Sequence, residues 1–271
     1  MPKDSSTQPP GLSFIELQSV NSTNNYARQK IYAGLAHHGM AIFAHEQVAG
    51  KGQRGKVWCT ERGLNIILSL VIEPQSLLLA QQFQLSACVA VAAHEFFIKY
   101  AGDETKIKWP NDLFWQDRKA GGILIESIVT GPQPEINSQQ THIANTSSIA
   151  QWKWSIAGMG ININQTHFPS DLPNPVSLKQ ITGKNFDVVD LAKELVLIFN
   201  KHFTELIENG FENIYSTYLA HLYKRNVTVK LKKGPKVFEA MINGVSPRGK
   251  LITHHAIDEE FDLGEVEWII K

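Results

Sequence analysis

Residues 106–126 read KIKWPNDLFWQDRKAGGILIE, and this stretch carries clear signals for strands and for the turn between them. Ile107–Trp109 and Leu113–Trp115 are apolar, aromatic arms of the kind that form strands, and the Pro-Asn-Asp segment between them is turn chemistry. The apolar, β-branched run Gly122–Val129 predicts a further strand. Strands this short, joined by tight turns, indicate antiparallel pairing.

Helical and strand patterns alternate on both sides of this stretch. Asn21-Ser22-Thr23-Asn24 is a run of residues that favour helix N-caps. Apolar residues recur at helical spacing from Ser76 to Tyr100 and predict a long amphipathic helix. Other helices are predicted over Tyr26–Leu35, Asp187–Asn209 and Phe211–Leu222, and strands over Met40–Ala44, Leu64–Ile72 and Trp152–Asn162.

The texture of the sequence changes near residues 222–226. Beyond this point short strands alternate with turns rich in Lys, Gly and Pro, which predicts a small antiparallel barrel or sandwich over residues 224–271. Residues 14–223 are predicted to form the larger domain and residues 1–13 a flexible tail. The polar segment 131–151 is predicted to be an inserted loop or hairpin.

Composition excludes several classes of protein. The 271 residues carry 26 basic and 26 acidic side chains, so the basic excess usual in nucleic-acid binders is missing. No apolar run approaches the roughly 20 residues that a membrane span needs. Two cysteines cannot build a disulfide scaffold, which favours a reducing, cytoplasmic setting.

The segment Gly50-Lys51-Gly52-Gln53-Arg54-Gly55 matches the letters of a dinucleotide-binding motif but not its context. That motif requires a helix beginning at the last glycine, whereas here Lys56-Val57-Trp58-Cys59 leads into the strand predicted from Leu64. What remains is a loop with three cations and many free backbone N–H groups, which suits an anion. Trp58 can stack on a base, so the pattern favours a nucleotide over a solvated basic turn.

Two further segments carry candidate chemistry. Lys119 stands before two glycines and a buried strand, where a cation needs an anionic partner, and it is the best single candidate for a catalytic cation. Asn162 follows Gly158-Met159-Gly160 at a strand end and can read an adenine edge. Taken alone, this signal is weak, because an asparagine after a strand is usually just a turn former.

The order of these motifs resembles that of the biotin protein ligases. The matching segments are Ser22-Thr23-Asn24, Gln47 with GKGQRGKVW, GLNIILSL, KWPNDL, DRKAGGILIE and GMGININ, and together they extend over residues 14–271. The resemblance implies an α+β fold with a mixed, largely antiparallel sheet packed with helices, as in the class II synthetases, and a C-terminal SH3-like β-barrel. It also implies a two-step reaction in which ATP activates biotin to biotinyl-5′-AMP and a carrier-protein lysine then takes the biotin.

The resemblance also implies roles for individual residues. Lys119, Lys51 and Asp112 would be catalytic, with Lys119 on the carboxyl and phosphoryl oxygens and Asp112 helping the acceptor lysine to lose its proton. Biotin would be bound by Ser22, Thr23, Asn24, Gln47, Lys51, Gly52, Gln53, Lys119 and Gly122. ATP and the adenylate would be bound by Arg54, Lys56, Trp58, Cys59, Asn111 and Asn162.

The remaining expectations concern the metal and the partners. Mg²⁺ is expected to assist the meeting of two anions, with Asp112 and Glu126 as possible ligands. The expected acceptor is the biotin carboxyl carrier domain of a carboxylase such as acetyl-CoA carboxylase, and the enzyme is expected to be a monomer or homodimer. Gln53 and Lys51 depart from the family, which usually has arginine at both positions, so retention of the adenylate could depend on Arg54 and Lys56.

Three alternatives stay open at the level of sequence. A lipoate ligase or octanoyl transferase would share the fold, although its double-arginine, triple-glycine segment or catalytic cysteine is not evident. A repressor would need a helix-turn-helix of about 60 residues ahead of Phe14, which leads us to expect the monofunctional type with no DNA partner. The lysine-rich C-terminal strands could bind RNA, but lysines guarding strand edges are the more common case.

Overall fold

The computed structural model describes residues 13–130, 151–170 and 172–269 of the 271-residue chain. Within these residues the chain forms a seven-stranded sheet, a five-stranded sheet and five α-helices. The expected α+β class, with a mixed and largely antiparallel sheet packed with helices, is confirmed. Residues 1–12 of the predicted tail lie outside the described residues, as does all of the predicted 131–151 insertion except Gln151.

The larger sheet contains seven strands in the order β1-β2-β3-β7-β6-β5-β4. Only the pair β1 and β2 is parallel, and every other neighbouring pair is antiparallel. Its strands are β1 Phe14–Leu17, β2 Ala41–Ala44, β3 Asn65–Ile72, β4 Thr105–Lys108, β5 Asp112–Trp115, β6 Arg118–Thr130 and β7 Gln151–Asn162.

One face of this sheet carries the main core. Because side chains alternate along a strand, Ile66, Leu68 and Leu70 of β3 all point to this face. The helices α2 and α4 pack there, and α2 is apolar around most of its circumference because it lies between the sheet and α4. The helices of the chain are α1 Thr23–Tyr32, α2 Gln82–Ala101, α3 Leu178–Thr182, α4 Val188–Asn209 and α5 Glu212–Ala220.

The opposite face of the sheet is covered by α1 over only part of its length. Ala27 of α1 packs with Ile42, Val71 and Ile156 in a second, smaller apolar cluster. The rest of this face is left open, and the candidate site occupies it. No helix in the described residues is long and apolar enough to cross a membrane.

The smaller sheet lies in the C-terminal segment and has the strand order β11-β10-β9-β8-β12. It is antiparallel throughout, as expected, but no pairing of β11 with β12 among the described residues closes it into a barrel. The division at residue 224 stays a prediction. The strands are β8 Thr228–Lys233, β9 Lys236–Val245, β10 Leu251–His255, β11 Ile257–Phe261 and β12 Glu267–Trp268.

The hairpin between β4 and β5 is anchored from two directions. The hydroxyl of Tyr218 on α5 donates to the carbonyl of Pro110 at 2.8 Å. The indole of Trp109 donates to the carbonyl of Gly249 in the small sheet at 2.9 Å. Both donors are buried, so the turn that presents Asn111 and Asp112 is fixed by α5 and by the C-terminal segment.

Two helices begin elsewhere than expected, because tertiary contacts override local preference. The first begins at Thr23 rather than Tyr26, since Thr23 and Asn24 hydrogen-bond to Gln47 and Ser69 instead of capping the backbone. The second begins at Gln82 rather than Ser76, after a turn of 3₁₀ helix over Leu79–Gln81.

Three elements were not expected: β1, α3 and β11. The acidic run Asp258-Glu259-Glu260, for which no strand was predicted, belongs to β11, which pairs with β10 while its exposed carboxylates face solvent. The short helix α3 has a capping box, with Ser177 accepting from the backbone of Gln180 and Gln180 accepting from that of Ser177. That spacing is visible in the sequence and could have revealed the helix.

Candidate active site

Three glycines form the floor of the site on the open face of the large sheet. Gly122 of β6 pairs with Gly160 of β7, and Gly158 lies two residues before Gly160 on the same face. Each lies under a different functional group. A β-carbon on Gly158 would overlap the amide of Asn24, one on Gly160 would overlap the indole of Trp58, and one on Gly122 would crowd Asp112 and Lys119.

Above this floor is a single cavity of about 840 Å³. It is lined by every residue that was given a catalytic, biotin-binding or ATP-binding role from the sequence except Asn111, which is buried and accepts a hydrogen bond from Gln53 at 2.8 Å. The residues brought together are Ser22, Thr23, Asn24, Gln47, Lys51, Gly52, Gln53, Arg54, Lys56, Trp58, Cys59, Asp112, Lys119, Gly122 and Asn162.

One end of the cavity is polar but uncharged. Ser22 stands at the N-cap of α1 without capping it, and its buried side chain lines the cavity. The backbone N–H of Thr23 donates to Oε1 of Gln47 at 2.7 Å, which leaves the amide nitrogen of Gln47 available to a ligand. Hydroxyl and amide groups at this end can therefore both donate to and accept from a neutral polar ring.

The other end is cationic. Nζ of Lys119 lies 2.7 Å from Oδ2 of Asp112, both side chains being about one-quarter to one-third exposed. Lys119 is the second residue of β6, so the expectation that it precedes the strand is wrong, while its need for an anionic partner is met. Its backbone is fixed by Asn174 and Val176 of the adjoining loop, through N–H···O=C bonds of 2.9 Å each.

A second lysine at this end was not singled out from the sequence. Nζ of Lys108 lies 5.5 Å from the ring centre of Phe114 and 5.1 Å from that of Trp268, and its side chain lines the cavity. No carboxylate among the described residues is paired with it. Burial, opposed by nearby Asp112, lowers the pKa of Lys108 to about 8.

The loop after β2 covers the cationic end. Nζ of Lys51 donates to Oδ1 of Asn25 at 2.8 Å, which ties the loop to α1. Arg54, at φ 56°, turns its guanidinium against Gly264 of the small sheet, where a side chain would collide with it. The loop thus bridges α1 and the C-terminal segment across the mouth of the cavity.

Among the residues that the structure describes, none donates a hydrogen bond to the side-chain oxygen of Asn162. Its amide nitrogen donates to the carbonyl of Val176 at 3.1 Å, so Oδ1 is the atom left to accept from an adenine amino group. The indole of Trp58 lies against Gly160 and provides an aromatic ring nearby. The loop residues 172–175 and the C-terminal residues 263–268 complete the wall, and no sequence motif pointed to either of them.

The residues do not form a protein-built metal site. Among the described residues no group of three His, Cys, Asp or Glu side chains could hold a metal ion. Asp112 is paired with Lys119, and Glu126 is paired with Arg28 at 2.8 Å and does not line the cavity. The expectation that Glu126 could hold Mg²⁺ is therefore not supported by its position.

Comparison with known proteins now places the chain. The model of the Biotin/lipoate A/B protein ligase family matches residues 16–140. A biotin–[acetyl-CoA-carboxylase] ligase of Paracoccus denitrificans is 30% identical over 244 residues, which cover 87% of this chain and 92% of that protein. The chain belongs to the biotin protein ligase family. The bifunctional ligase/repressor BirA of Escherichia coli is likewise 30% identical over 250 residues, covering 89% of this chain and 69% of BirA.

Solved structures agree with the fold of the family. A biotin protein ligase from Aquifex aeolicus, in complex with biotin and ATP, superposes with a TM-score of 0.76 at 21% identity. The match covers 96% of this chain and 99% of that one, including the small C-terminal sheet. Both sheets described above are therefore part of the biotin protein ligase fold.

Proposed function

We propose that this chain activates biotin with ATP and transfers it to a lysine of a biotin carboxyl carrier domain. The observation that carries the proposal is one cavity with a neutral hydrogen-bonding end and a cationic end. Biotin has a cyclic urea at one end and a carboxylate at the other, and it matches both. The carboxylate and the phosphates of ATP would meet at Lys119 and Lys108.

The first step joins two anions, so its main obstacle is electrostatic. A carboxylate oxygen of biotin attacks the α-phosphorus, a new P–O bond forms, and the bond to pyrophosphate breaks. Two cations about 4 Å from the reacting oxygens can each offset several kcal/mol of repulsion in a partly dry cavity. We assign this task to Lys119 and Lys108, and the shielding of the cavity to the loop at Lys51.

In the second step the amine of an acceptor lysine attacks the acyl carbon, AMP leaves with the electrons of the broken bond, and the amine loses a proton. We assign that proton to Asp112, whose Oδ2 pairs with Lys119 at 2.7 Å while its second oxygen can accept. Trp58 and Asn162 are proposed to hold the adenine. Mg²⁺ is proposed to enter with ATP, bound by its phosphates and by water rather than by a protein cluster.

The neutral end argues against lipoate as the substrate. The dithiolane ring of lipoate has no N–H or C=O group, so the amide of Gln47 and the hydroxyls near it would be desolvated without partners. Each such group costs about 1–3 kcal/mol. Biotin satisfies them, and the same reasoning argues against octanoate.

The decisive experiment is transfer itself. The full chain is incubated with ATP, Mg²⁺ and a carrier domain, and mass spectrometry follows the mass of the carrier with biotin, lipoate or octanoate present. We expect a biotin adduct that requires ATP, and adduct formation with lipoate instead would contradict the proposal. The monomeric or dimeric state remains a proposal that size-exclusion chromatography tests, and the lack of a DNA partner remains one that operator binding tests. The cytoplasmic setting is likewise a proposal.

A further inference from the structure

A row of hydrogen-bonded polar side chains runs beneath α1, from Glu126 outside the cavity to the neutral end of the cavity. Three of its members are among the most buried polar residues of the molecule, between 0% and 3% exposed. Arg28 of α1 pairs with its outer end. The row, called the polar row below, consists of Glu126, Asn24, Ser69, Thr23 and Gln47.

The outer half of the polar row has only one arrangement of hydrogens. Nη2 of Arg28 donates to Oε1 of Glu126 at 2.8 Å, and Oε2 lies 2.8 Å from Nδ2 of Asn24. A carboxylate can only accept, so Asn24 must turn its nitrogen to Glu126. This nitrogen is also 3.5 Å from the carbonyl of Leu124, and Oδ1 is thereby turned to Ser69, 2.6 Å from Oγ.

The inner half follows from the outer half. Because the amide oxygen of Asn24 can only accept, the single hydroxyl hydrogen of Ser69 is used there. The contact of 2.7 Å between Ser69 and Thr23 then needs the hydrogen of the Thr23 hydroxyl. Oε1 of Gln47 accepts from the backbone N–H of Thr23 at 2.7 Å. The Thr23 hydroxyl lies 3.1 Å from the same oxygen but does not donate to it, because its one hydrogen is used by Ser69.

We infer that Arg28 and Glu126, which lie outside the cavity, are positioning residues that fix which atoms of the polar row accept and which donate toward the urea ring of biotin. This inference rests on the proposed function. With the hydrogens set in this way, the oxygen of Thr23 offers lone pairs to the cavity and the amide of Gln47 offers N–H groups. A cyclic urea supplies the complement, an N–H donor beside a C=O acceptor.

The isosteric change Glu126→Gln should reverse the polar row. Arg28 can only donate, so it takes the amide oxygen of the new glutamine and leaves the NH₂ group facing Asn24. Asn24 then turns over, Ser69 accepts from it and donates to Thr23, and the Thr23 hydroxyl becomes a donor. Thr23 would now accept from Ser69, so one of the lone pairs that it offered to the urea N–H is taken, and its hydrogen points to Oε1 of Gln47 at 3.1 Å or into the cavity. The shape of the cavity is unchanged.

The test is a double-mutant cycle of Arg28 and Glu126. In R28M the carboxylate remains and the direction of the polar row is kept. In E126Q the direction is reversed. In R28M/E126Q the glutamine is free to turn its oxygen to Asn24, so the original direction returns. Calorimetry gives the dissociation constant for biotin, and adenylate formation at saturating biotin gives kcat and the KM for ATP.

We expect E126Q to weaken biotin binding about tenfold or more, with kcat and the KM for ATP changed by less than about threefold. The double variant should recover most of the loss. The matched control is E194Q, which neutralises the exposed Lys99–Glu194 pair between α2 and α4 and should leave biotin affinity unaltered.

Either of two results overturns the inference: biotin affinity unaltered in E126Q, or a double variant no better than E126Q. A purely structural role would predict additive losses and parallel falls in melting temperature. If the wild-type chain binds no biotin and forms no biotinyl-AMP, the proposed function itself fails. That outcome is distinct from an active wild type whose variants do not follow the cycle.

Discussion

Replacing Lys108 by methionine should stabilise the fold but weaken the binding of ATP, and the variant Lys108→Met tests both expectations. The fall in its pKa from the ordinary 10.5 to about 8 corresponds to about 3 kcal/mol at 1.36 kcal/mol per pH unit. The rings of Phe114 and Trp268 return about 0.5–2 kcal/mol through cation–π attraction, which the methionine loses. We therefore expect K108M to be more stable than wild type by about 1–3 kcal/mol at neutral pH.

The sign of the pH dependence follows from where the proton is lost. Below about pH 8 the lysine is charged in both the folded and the unfolded chain, so the folded state carries the full penalty. Between that pH and 10.5 the folded state releases its proton first, and the penalty disappears. The advantage of K108M should therefore be present at pH 7 and absent at high pH.

Urea unfolding of both proteins at about pH 7 and about pH 10 measures this difference. Lys106→Met is the matched control, since Lys106 lies on the same strand and its ammonium donates to an exposed backbone carbonyl at 3.1 Å. Without phosphate contacts from Lys108, the KM for ATP should rise about tenfold or more. A K108M variant less stable than wild type, or a gain in its unfolding free energy of equal size at both pH values, would contradict a penalty from burying the charge of Lys108.

Four further variants probe the rest of the cavity. Lys119→Ala should abolish biotinyl-AMP formation, at a cost of at least about 10²-fold in rate, with the melting temperature retained; near-normal adenylate synthesis would contradict its role. Gly160→Ala should displace Trp58 and raise the KM for ATP about tenfold while sparing biotin, whereas Gly158→Ala should do the opposite, and equal effects would argue against two separate ends. Gln53→Arg should slow release of the adenylate about tenfold by adding a charged donor, which pulse–chase release measures, and an unchanged rate would place residue 53 away from the phosphate.

The parts of the fold that were predicted correctly are those whose pattern is local. Leu64–Ile72 is apolar along its whole length and could only be a central strand, and the observed β3 agrees to within a residue. The start of α1 was misplaced because Thr23 and Asn24 look like caps until Gln47 and Ser69 are brought to them. Such contacts join residues 24 or more positions apart, and no window of sequence contains both partners.

Motifs in the sequence identified most residues of the candidate site, but they did not predict how the fold arranges these residues around the cavity. Gly122 and the pair Gly158 and Gly160 were noted in separate motifs, whereas their common function depends on the pairing of β6 with β7. Lys108 sits in a quoted motif and was passed over, because nothing in the sequence places the ring of Trp268 over it. Its depressed pKa is a property of burial, which sequence alone does not reveal.

The two ends of the cavity are built from different parts of the chain, and on the proposed function each end serves a different part of the reaction. Every residue of the neutral end and of the polar row lies at or before position 126, over a floor that ends at Gly160. The cationic end needs Trp268 over Lys108 and Gly264 under Arg54, both from the small sheet. On the proposed function, the urea end of biotin is recognised by residues of the large sheet, of α1 and of the loop at Gln47, whereas the shielding of two meeting anions requires both sheets to be in place.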